Sequence, residues 1–272
     1  MIEIGKVNIG GGLPFVLIAG PCVVENEAIT LITAEQIKYI TSKLGISLIF
    51  KSSYKKANRT SINSFKGIGD SEAITILGKV KEKFDLPLLT DVHSIEEVSK
   101  VAATVDVLQI PAFLCRQTEL LLAAGETGKV VNIKKGQFLA PEDMKHAVGK
   151  VESTGNRKIM LTERGTSFGY NNLVVDMRSL VIMKKFGYPV IMDATHSVQL
   201  PSSGGKTGGQ PGFIKPLSKA AAAVGIDALF LEVHPNPSKA LSDSESQLPI
   251  NELEQLLKEV QEIDSIVKQH IN

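Results

Sequence analysis

Residues 15–22 read FVLIAGPC, five apolar residues followed by glycine, proline and cysteine. The apolar run is too short for a helix and is unbroken rather than alternating, which is typical of a strand buried on both faces. Seven further runs of this kind follow along the chain. They are Leu48–Phe50, Leu86–Thr90, Val107–Pro111, Val130–Ile133, Ile159–Thr162, Val190–Met192 and Ala228–Val233. The sequence therefore predicts eight buried strands.

Apolar residues recur at helical spacing after each of these runs. The first such segment runs from Asn26 to Leu44 and stops at Gly45, a residue type that often follows a helix. The other segments are 72–84, 95–103, 118–127, 141–153, 176–186, 212–224 and 251–267. Asn251, with Glu254 three residues later, predicts a capping box at the start of the last helix.

Alternation of eight strands with eight helices predicts a (β/α)₈ TIM barrel. A doubly wound open sheet is the alternative. We find no linker, so we expect one catalytic domain over residues 1–272. Residues 1–13 add alternating Ile2, Ile4, Val7 and Ile9, which predict a short N-terminal β-hairpin at the bottom of the barrel.

Composition excludes several classes of protein. The 272 residues are 43% apolar, and 30 Lys and Arg balance 29 Asp and Glu, so no global field attracts nucleic acid or an anionic membrane. No apolar run approaches the ~18 residues of a membrane span. The first residues lack the features of a secretory signal. We therefore expect a cytoplasmic protein in which Cys22 and Cys115 are thiols.

Polar residues gather where the apolar runs end. They are Cys22, Lys51, Ser52, Ser53, Asp91, His93, Gln109, Pro111, Lys134, Lys135, Glu163, Arg164, Asp193, His196, Glu232 and His234. Because all strands of a barrel end at the same face, these residues predict one active site there.

Two kinds of residue stand out in this set and close to it. The cations are Lys51, Lys56, Arg59, Arg116, Lys134 and Arg164, which in a neutral protein indicate phosphate or carboxylate ligands. Any one of them alone is better explained as a solvated surface charge, except where it directly ends an apolar run.

The second kind is a mixed donor set of Cys22, His196, Glu232 and Asp243, which suits a divalent metal such as Fe, Zn, Mn or Co. The spacing of these residues matches no local metal motif, and a buried cysteine is more often a small core residue.

At these residues the chain resembles the 3-deoxy-D-manno-octulosonate-8-phosphate synthases, also called 2-dehydro-3-deoxyphosphooctonate aldolases. The stretches that carry the resemblance are AGPC (19–22), FKSSYKKANRTS (50–61), TDVH (90–93), QIPAFLCRQT (109–118), NIKKGQF (132–138), LTERG (161–165), FGYNNLVVDMRS (168–179), DATHSVQLP (193–201) and LEVHPNPSKALSDSESQLP (231–249). KANR is the most discriminating, because the sister synthase that makes a seven-carbon sugar acid typically has a KPRT-like stretch there.

The resemblance implies a transferase that condenses phosphoenolpyruvate with D-arabinose 5-phosphate and water, giving 3-deoxy-D-manno-octulosonate 8-phosphate and phosphate. In this family C3 of phosphoenolpyruvate attacks the aldehyde, water adds at C2, and phosphate leaves with cleavage of its C–O bond. No Schiff base forms, so the lysines would hold anions. The product enters lipopolysaccharide or a plant wall polysaccharide.

The resemblance also implies residue roles. For phosphoenolpyruvate the implied residues are Lys51, Ser53, Lys56, Gln109, Ala112, Lys134 and Arg164. For arabinose 5-phosphate they are Asn58, Arg59, Thr60, Asp91 and, from a neighbouring subunit, Arg116. The residues expected closest to the chemistry are Lys51, Lys56, Asn58, Asp91, His196 and Asp243.

The family divides into metal-dependent members with Cys in the AGPC-like stretch and metal-independent members with Asn there. Cys22 and the Ser242–Asp243 pair place this chain in the first group. One divalent ion per subunit, Fe, Zn, Mn, Co or Cd, is then expected on Cys22, His196, Glu232 and Asp243. The family also implies a homo-oligomer, usually a tetramer.

Three other functions stay open. The seven-carbon synthase would use erythrose 4-phosphate with the same metal set. A Schiff-base aldolase would use Lys134. A non-catalytic barrel that binds sugar phosphates is the third, although binding alone needs no thiolate ligand.

Overall fold

The computed structural model describes residues 1–59, 61–201 and 208–270. Its strands, in chain order, are β1 (Ile2–Ile4), β2 (Val7–Ile9), β3 (Val16–Gly20), β4 (Leu48–Lys51), β5 (Leu88–Asp91), β6 (Val107–Ile110), β7 (Val130–Lys134), β8 (Ile159–Glu163), β9 (Thr166–Ser167), β10 (Leu173–Val174), β11 (Val190–Asp193), β12 (Gln199–Leu200), β13 (Gly208–Gly209), β14 (Ala228–His234) and β15 (Leu248–Pro249).

Eight of these strands close into a parallel barrel. The order is β3-β4-β5-β6-β7-β8-β11-β14, and β14 pairs in parallel with both β11 and β3. Ala228 lies opposite Ile191 on one side and Val16 on the other. An open sheet would leave two edges unpaired, so the (β/α)₈ prediction is confirmed and the doubly wound alternative is wrong.

The helices follow the strands as predicted. They are α1 (Glu27–Leu44), α2 (Asp70–Phe84), α3 (Ile95–Ala102), α4 (Thr118–Glu126), α5 (Met144–Glu152), α6 (Arg178–Lys184), α7 (Ile214–Val224) and α8 (Ile250–Lys268). The Asn26 side chain caps α1 by accepting a hydrogen bond from the backbone N–H of Ile29, and Gly45 ends the helix with a φ of 68°.

The capping box predicted at Asn251 is wrong. Helix α8 begins one residue earlier, directly after Pro249, and its first turn has no capping hydrogen bond from a side chain. The proline ring fixes φ at −60° in an extended residue, and the chain turns into the helix from there. Glu254 instead forms ion pairs with Lys43 and Lys258.

The N-terminal hairpin closes the bottom of the barrel. Strands β1 and β2 pair antiparallel, with Ile2 opposite Ile9. Their inward side chains share one apolar cluster with the barrel interior. Its members are Ile2, Ile4, Val7, Ile9, Val16, Ile18, Ile49, Leu89, Val107, Val130, Met160, Ile191, Ala228 and Phe230. The predicted hairpin and its position are confirmed, and the polar strand ends lie at the opposite face. No helix in the described ranges is both long and apolar enough to cross a membrane.

Candidate active site

The carboxyl ends of the barrel strands surround a cavity of about 250 Å³. Cations, amides and carboxylates from several strands meet there, together with a few apolar side chains. The lining residues are Lys51, Lys56, Ala57, Asn58, Asp91, His93, Gln109, Pro111, Ala112, Phe113, Leu114, Lys134, Arg164 and His196. A concave site with a few converging polar groups at this end of a barrel is where such folds bind small molecules.

Lys51 ends strand β4 and is 1% exposed. Its Nζ lies 2.5 Å from Glu232 Oε1 and donates a second hydrogen bond to the carbonyl of Cys22 at 3.2 Å. The neighbouring strand β3 can approach this point because residue 20 is glycine: a Cβ there would collide with the Lys51 carbonyl. The AGPC stretch therefore serves to bring β3 and Cys22 against the lysine.

Lys134 ends strand β7 and is held by Asp193 at the end of β11. Its Nζ lies 2.6 Å from Asp193 Oδ2 and 3.4 Å from Nδ1 of His196. Burial lowers the pKa of Lys134, and the carboxylate of Asp193 opposes this effect. Burial would raise the pKa of Asp193, but His196 and Lys134 hold it well below its ordinary value. Lys134 and Asp193 therefore form a fixed ion pair beside the cavity.

Gln199 links Arg164 to Asp243. Its amide oxygen accepts from Arg164 Nη2 at 2.9 Å, and its amide nitrogen donates to Asp243 Oδ2 at 3.1 Å. Arg59 Nη1 donates to the other Asp243 oxygen at 3.0 Å. Buried guanidinium nitrogens of Arg59 and Arg164 have no protein partner among the described residues. Unpaired buried donors are costly, so these nitrogens suit an anionic ligand.

A chain of hydrogen-bonded side chains runs around the barrel and ends on Asp91. Thr162 donates to Asn132 at 2.7 Å, Asn132 donates to Gln109 at 2.9 Å, and Gln109 donates to Asp91. Ser53 donates to the other oxygen of Asp91. Burial would raise the pKa of Asp91, but Lys51 and Lys56 hold it below its ordinary value. Asp91 is therefore an ionised acceptor that is held in one orientation.

Three of the four expected metal ligands come together. The ligand atoms of Cys22, Glu232 and Asp243 all lie within 4.8 Å of one another. His196 does not join this cluster: its Nε2 lies 3.5 Å from Glu232 Oε1, while its Nδ1 lies 2.8 Å from Asp193. Asp243, in the segment after β14, adopts a φ of 48°, which is uncommon for a residue with a side chain.

The chemistry of this cluster fits a divalent cation. Glu232 Oε2 is buried and accepts no hydrogen bond from the described residues. Burial raises the pKa of the Cys22 thiol, and Asp243 and Glu232 raise it further. A metal ion would satisfy the orphaned oxygen and drive deprotonation of the thiol. Thiolate and carboxylate donors together are typical of borderline transition-metal sites.

The sequence also matches known proteins. A sequence model described as the DAHP synthetase I family matches residues 1–269. The chain belongs to this family. Proteins named 2-dehydro-3-deoxyphosphooctonate aldolase from Trichlorobacter lovleyi and Geobacter metallireducens are each 59% identical to it over 98% of both chains. A protein of the same name from Geobacter sulfurreducens is 56% identical, again over 98% of both chains.

In this DAHP synthetase I family member, most of the predicted substrate residues line the cavity. Those that do are Lys51, Lys56, Asn58, Asp91, Gln109, Ala112, Lys134 and Arg164. Ser53 is fully buried and its hydroxyl is directed to Asp91. Arg116 is exposed and lines a separate pocket beside Lys150, away from the strand-end cavity. Thr60 lies outside the described residues.

Sequence reasoning gave no specific role to several residues that the structure places here. His93, Phe113 and Leu114 line the cavity. Asp193 is the counter-ion of Lys134, and Gln199 connects two predicted site residues. Position directly after a strand marked His93 and Asp193 as candidates. The apolar Phe113 and Leu114 carry no such signal, because their sequence is indistinguishable from core.

Proposed function

We propose that this chain is a 3-deoxy-D-manno-octulosonate-8-phosphate synthase. It condenses phosphoenolpyruvate with D-arabinose 5-phosphate and water, and it releases phosphate by C–O cleavage. The observation that carries the proposal is the strand-end cavity, where Lys51, Lys56, Lys134 and Arg164 converge beside a thiol and carboxylate cluster. Cations for two phosphorylated substrates and a ligand set for a metal occur together there.

We assign phosphoenolpyruvate to the cations at the ends of β4, β7 and β8. The carboxylate of phosphoenolpyruvate would lie against Lys51 and Lys56. Its phosphate would lie against Lys134 and Arg164, whose buried Nη1 is otherwise unpaired. These contacts fix C3 toward the aldehyde and neutralise charge on the leaving phosphate, and both effects accelerate the reaction by positioning and electrostatics.

The sugar phosphate belongs on the segment after β4. Asn58 lines the cavity, and Arg59 carries two buried nitrogens, Nε and Nη2, without a partner in the described chain. Guanidinium groups suit phosphate through paired charge-assisted hydrogen bonds. Asp91 faces the same cavity as an ionised acceptor and would orient a sugar hydroxyl. We expect Arg116 of a neighbouring subunit to complete the phosphate site, which requires a homo-oligomer.

The metal site would consist of Cys22, Glu232 and Asp243, with His196 as a fourth ligand. His196 Nε2 lies 3.5 Å from Glu232 Oε1, so the imidazole is next to the cluster, and Asp193 holds its other nitrogen at 2.8 Å. A bound divalent ion supplies Lewis-acid polarisation at this end of the cavity. Glu232 connects this site to the cation cluster, since the same carboxylate pairs with Lys51.

The names of the relatives favour the eight-carbon synthase over the seven-carbon alternative. The relatives at 56–59% identity carry the name 2-dehydro-3-deoxyphosphooctonate aldolase, although the family model is named for the seven-carbon enzyme. The KANR stretch at 56–59 agrees with the relatives' name. The product therefore belongs to the synthesis of the octulosonate sugar of lipopolysaccharide.

Phosphate release from phosphoenolpyruvate tests the proposal. Purified protein is assayed with arabinose 5-phosphate and with erythrose 4-phosphate, each with and without a metal chelator. We expect release with the five-carbon sugar phosphate and its loss with chelator. Preference for erythrose 4-phosphate would establish the seven-carbon synthase instead. Inactivation by borohydride in the presence of substrate would indicate a Schiff base on Lys134, which the proposal excludes.

A further inference from the structure

The ring of Phe230 lies against two cations of the candidate active site. Phe230 is fully buried in β14, two residues before Glu232, and it belongs to the apolar cluster inside the barrel. The Nζ of Lys134 lies over the ring, 4.0 Å from its centroid, and the Nζ of Lys51 lies 5.4 Å from the same centroid. One aromatic ring therefore lies within cation–π distance of both ammonium groups.

This arrangement needs a physical explanation, because two buried like charges on one ring repel each other. Burial lowers the pKa of Lys134, and the charge of Lys51 lowers it further. The negative face of an aromatic ring attracts cations, and the attraction strengthens when the cation is desolvated. An aliphatic side chain of similar size would leave both ammonium groups against an apolar surface.

The hydrogen bonds of the two lysines indicate what the ring contributes. An ammonium group has three donors. Lys51 donates to Glu232 and to the Cys22 carbonyl, and Lys134 donates to Asp193. Nδ1 of His196 is a neighbour of Lys134 at 3.4 Å, but it lies 2.8 Å from Asp193 and donates there. Among the described residues, each ammonium therefore keeps at least one N–H for a ligand in the cavity that both lysines line. The ring occupies the apolar side of each ammonium and restricts where that remaining N–H can point.

We propose that Phe230 is a positioning residue of the phosphoenolpyruvate site, and that its ring holds the ammonium groups of Lys51 and Lys134 for the substrate through cation–π attraction. The proposal rests on the proposed function, since it takes phosphoenolpyruvate as the anion in the cavity. It adds a residue that does not touch substrate and that carries no charge or polar atom.

Fluorinated phenylalanines separate the electrostatics of the ring from its packing. Each fluorine withdraws electron density from the ring face while the shape changes little. Replacement of Phe230 by 4-fluoro-, 3,5-difluoro- and 3,4,5-trifluorophenylalanine should raise the Kd of phosphoenolpyruvate stepwise. We expect about five-fold for the trifluoro ring, equivalent to ~1 kcal/mol at 1.4 kcal/mol per tenfold. Isothermal titration calorimetry of the purified, metal-loaded protein measures the Kd directly.

Phe84 provides the matched control. It is a buried phenylalanine at the end of α2, and Lys83 Nζ lies 5.2 Å from its ring centroid. Phe84 precedes β5, at the opposite end of that strand from Asp91, and it does not line the strand-end cavity. The same three fluorinated residues at Phe84 should leave the Kd of phosphoenolpyruvate unchanged. Metal content should stay at the wild-type value for both series, because the ligands do not change, and the protein should remain folded at the assay temperature in thermal unfolding.

The outcomes are separable. A flat Kd across the Phe230 series would overturn the proposal, as would an equal rise at Phe84 or a rise accompanied by loss of metal. Phe230→Leu adds a second measurement: it should weaken phosphoenolpyruvate binding at least as much as the trifluoro ring. A wild-type protein that binds phosphoenolpyruvate but releases no phosphate would refute the proposed function and still allow the fluorine series to judge the ring.

Discussion

Asp193 carries a charge on which two site residues depend, and its replacement has a calculable effect. The carboxylate is fully buried, with Oδ2 2.6 Å from Lys134 Nζ and 2.8 Å from His196 Nδ1. At an effective dielectric constant of about 20, the Lys134 pair alone is worth about 6 kcal/mol of Coulomb energy. Desolvation offsets part of this, and removal of one partner from a buried pair typically costs about 3–5 kcal/mol.

Asp193→Asn removes the charge and keeps the shape. The amide oxygen can still accept the backbone hydrogen bonds of Thr195 and His196, which now go to Asp193 Oδ1. The thermal midpoint of a protein of this size falls by about 2–4 °C for each kcal/mol of lost stability. A loss of about 3 kcal/mol should therefore lower the midpoint by roughly 10 °C. The Kd of phosphoenolpyruvate should rise by at least about ten-fold, because burial lowers the pKa of Lys134 and the Asp193 charge no longer opposes this effect, so the charged form that binds the anion is disfavoured.

The matched control for this change lies at the other end of the barrel. Asp227 is buried too; it accepts from the backbone of Val190 at 2.8 Å and lies 3.8 Å from Lys184. Asp227→Asn should cost stability while leaving phosphoenolpyruvate binding as in wild type. Unchanged melting and unchanged binding in Asp193→Asn would refute the argument that this buried pair organises the site.

The same charge predicts how stability depends on pH. The pKa of Asp193 is depressed in the folded protein, because His196 and Lys134 outweigh the opposite effect of burial. Its contribution to stability is therefore present above the unfolded-state pKa of about 3.9 and is lost as pH falls below that value toward the folded pKa. Urea unfolding between pH 7 and pH 3 should lose stability less steeply in Asp193→Asn than in wild type.

Three further changes test the remaining assignments. Cys22→Ala should lose both activity and metal, the latter measured by mass spectrometry. Cys22→Asn should bind metal poorly and retain some chelator-resistant turnover. Full activity of rigorously metal-free wild type would contradict the metal assignment. Arg59→Ala should raise the KM for arabinose 5-phosphate much more than that for phosphoenolpyruvate, and equal effects on both would count against its role. Arg116→Ala and Lys134→Ala should each be inactive alone. A mixture of the two should regain activity after subunit exchange, because a hybrid interface then contains one intact site. Exchange without recovered activity would exclude a shared site.

The barrel was predictable because its signal repeats. Each strand is a short apolar run, and the order of runs and helices leaves few arrangements. The end of α1 at Gly45 was predictable from a local signal, because glycine tolerates the positive φ at which a helix often ends. The start of α8 was not, since both Asn251 and Pro249 are plausible boundary residues and the sequence does not say which one prevails.

The site was predictable to the extent that its residues are polar and end a strand. Lys51, Lys134 and Asp91 satisfied both conditions and line the cavity. Phe230 could not be found in this way, because a phenylalanine in an apolar run has the appearance of core and is in fact part of it. Ser53 shows the opposite problem: its position after β4 marks it as a ligand residue, but its hydroxyl binds Asp91.

The closure of the barrel has a consequence for the order in which the site can form. Strand β14 pairs with β3, so Ala228 meets Val16 across about 210 residues of chain, and the barrel closes only when β14 is present. Cys22 and Glu232 lie on these two strands or directly after them. A nascent chain that has emerged only as far as β11 contains Lys51, Lys134 and Asp193. It lacks Phe230 and Glu232, which both lie in β14. Turnover by this protein is therefore a direct readout of complete folding, and no amino-terminal fragment should show a partial activity.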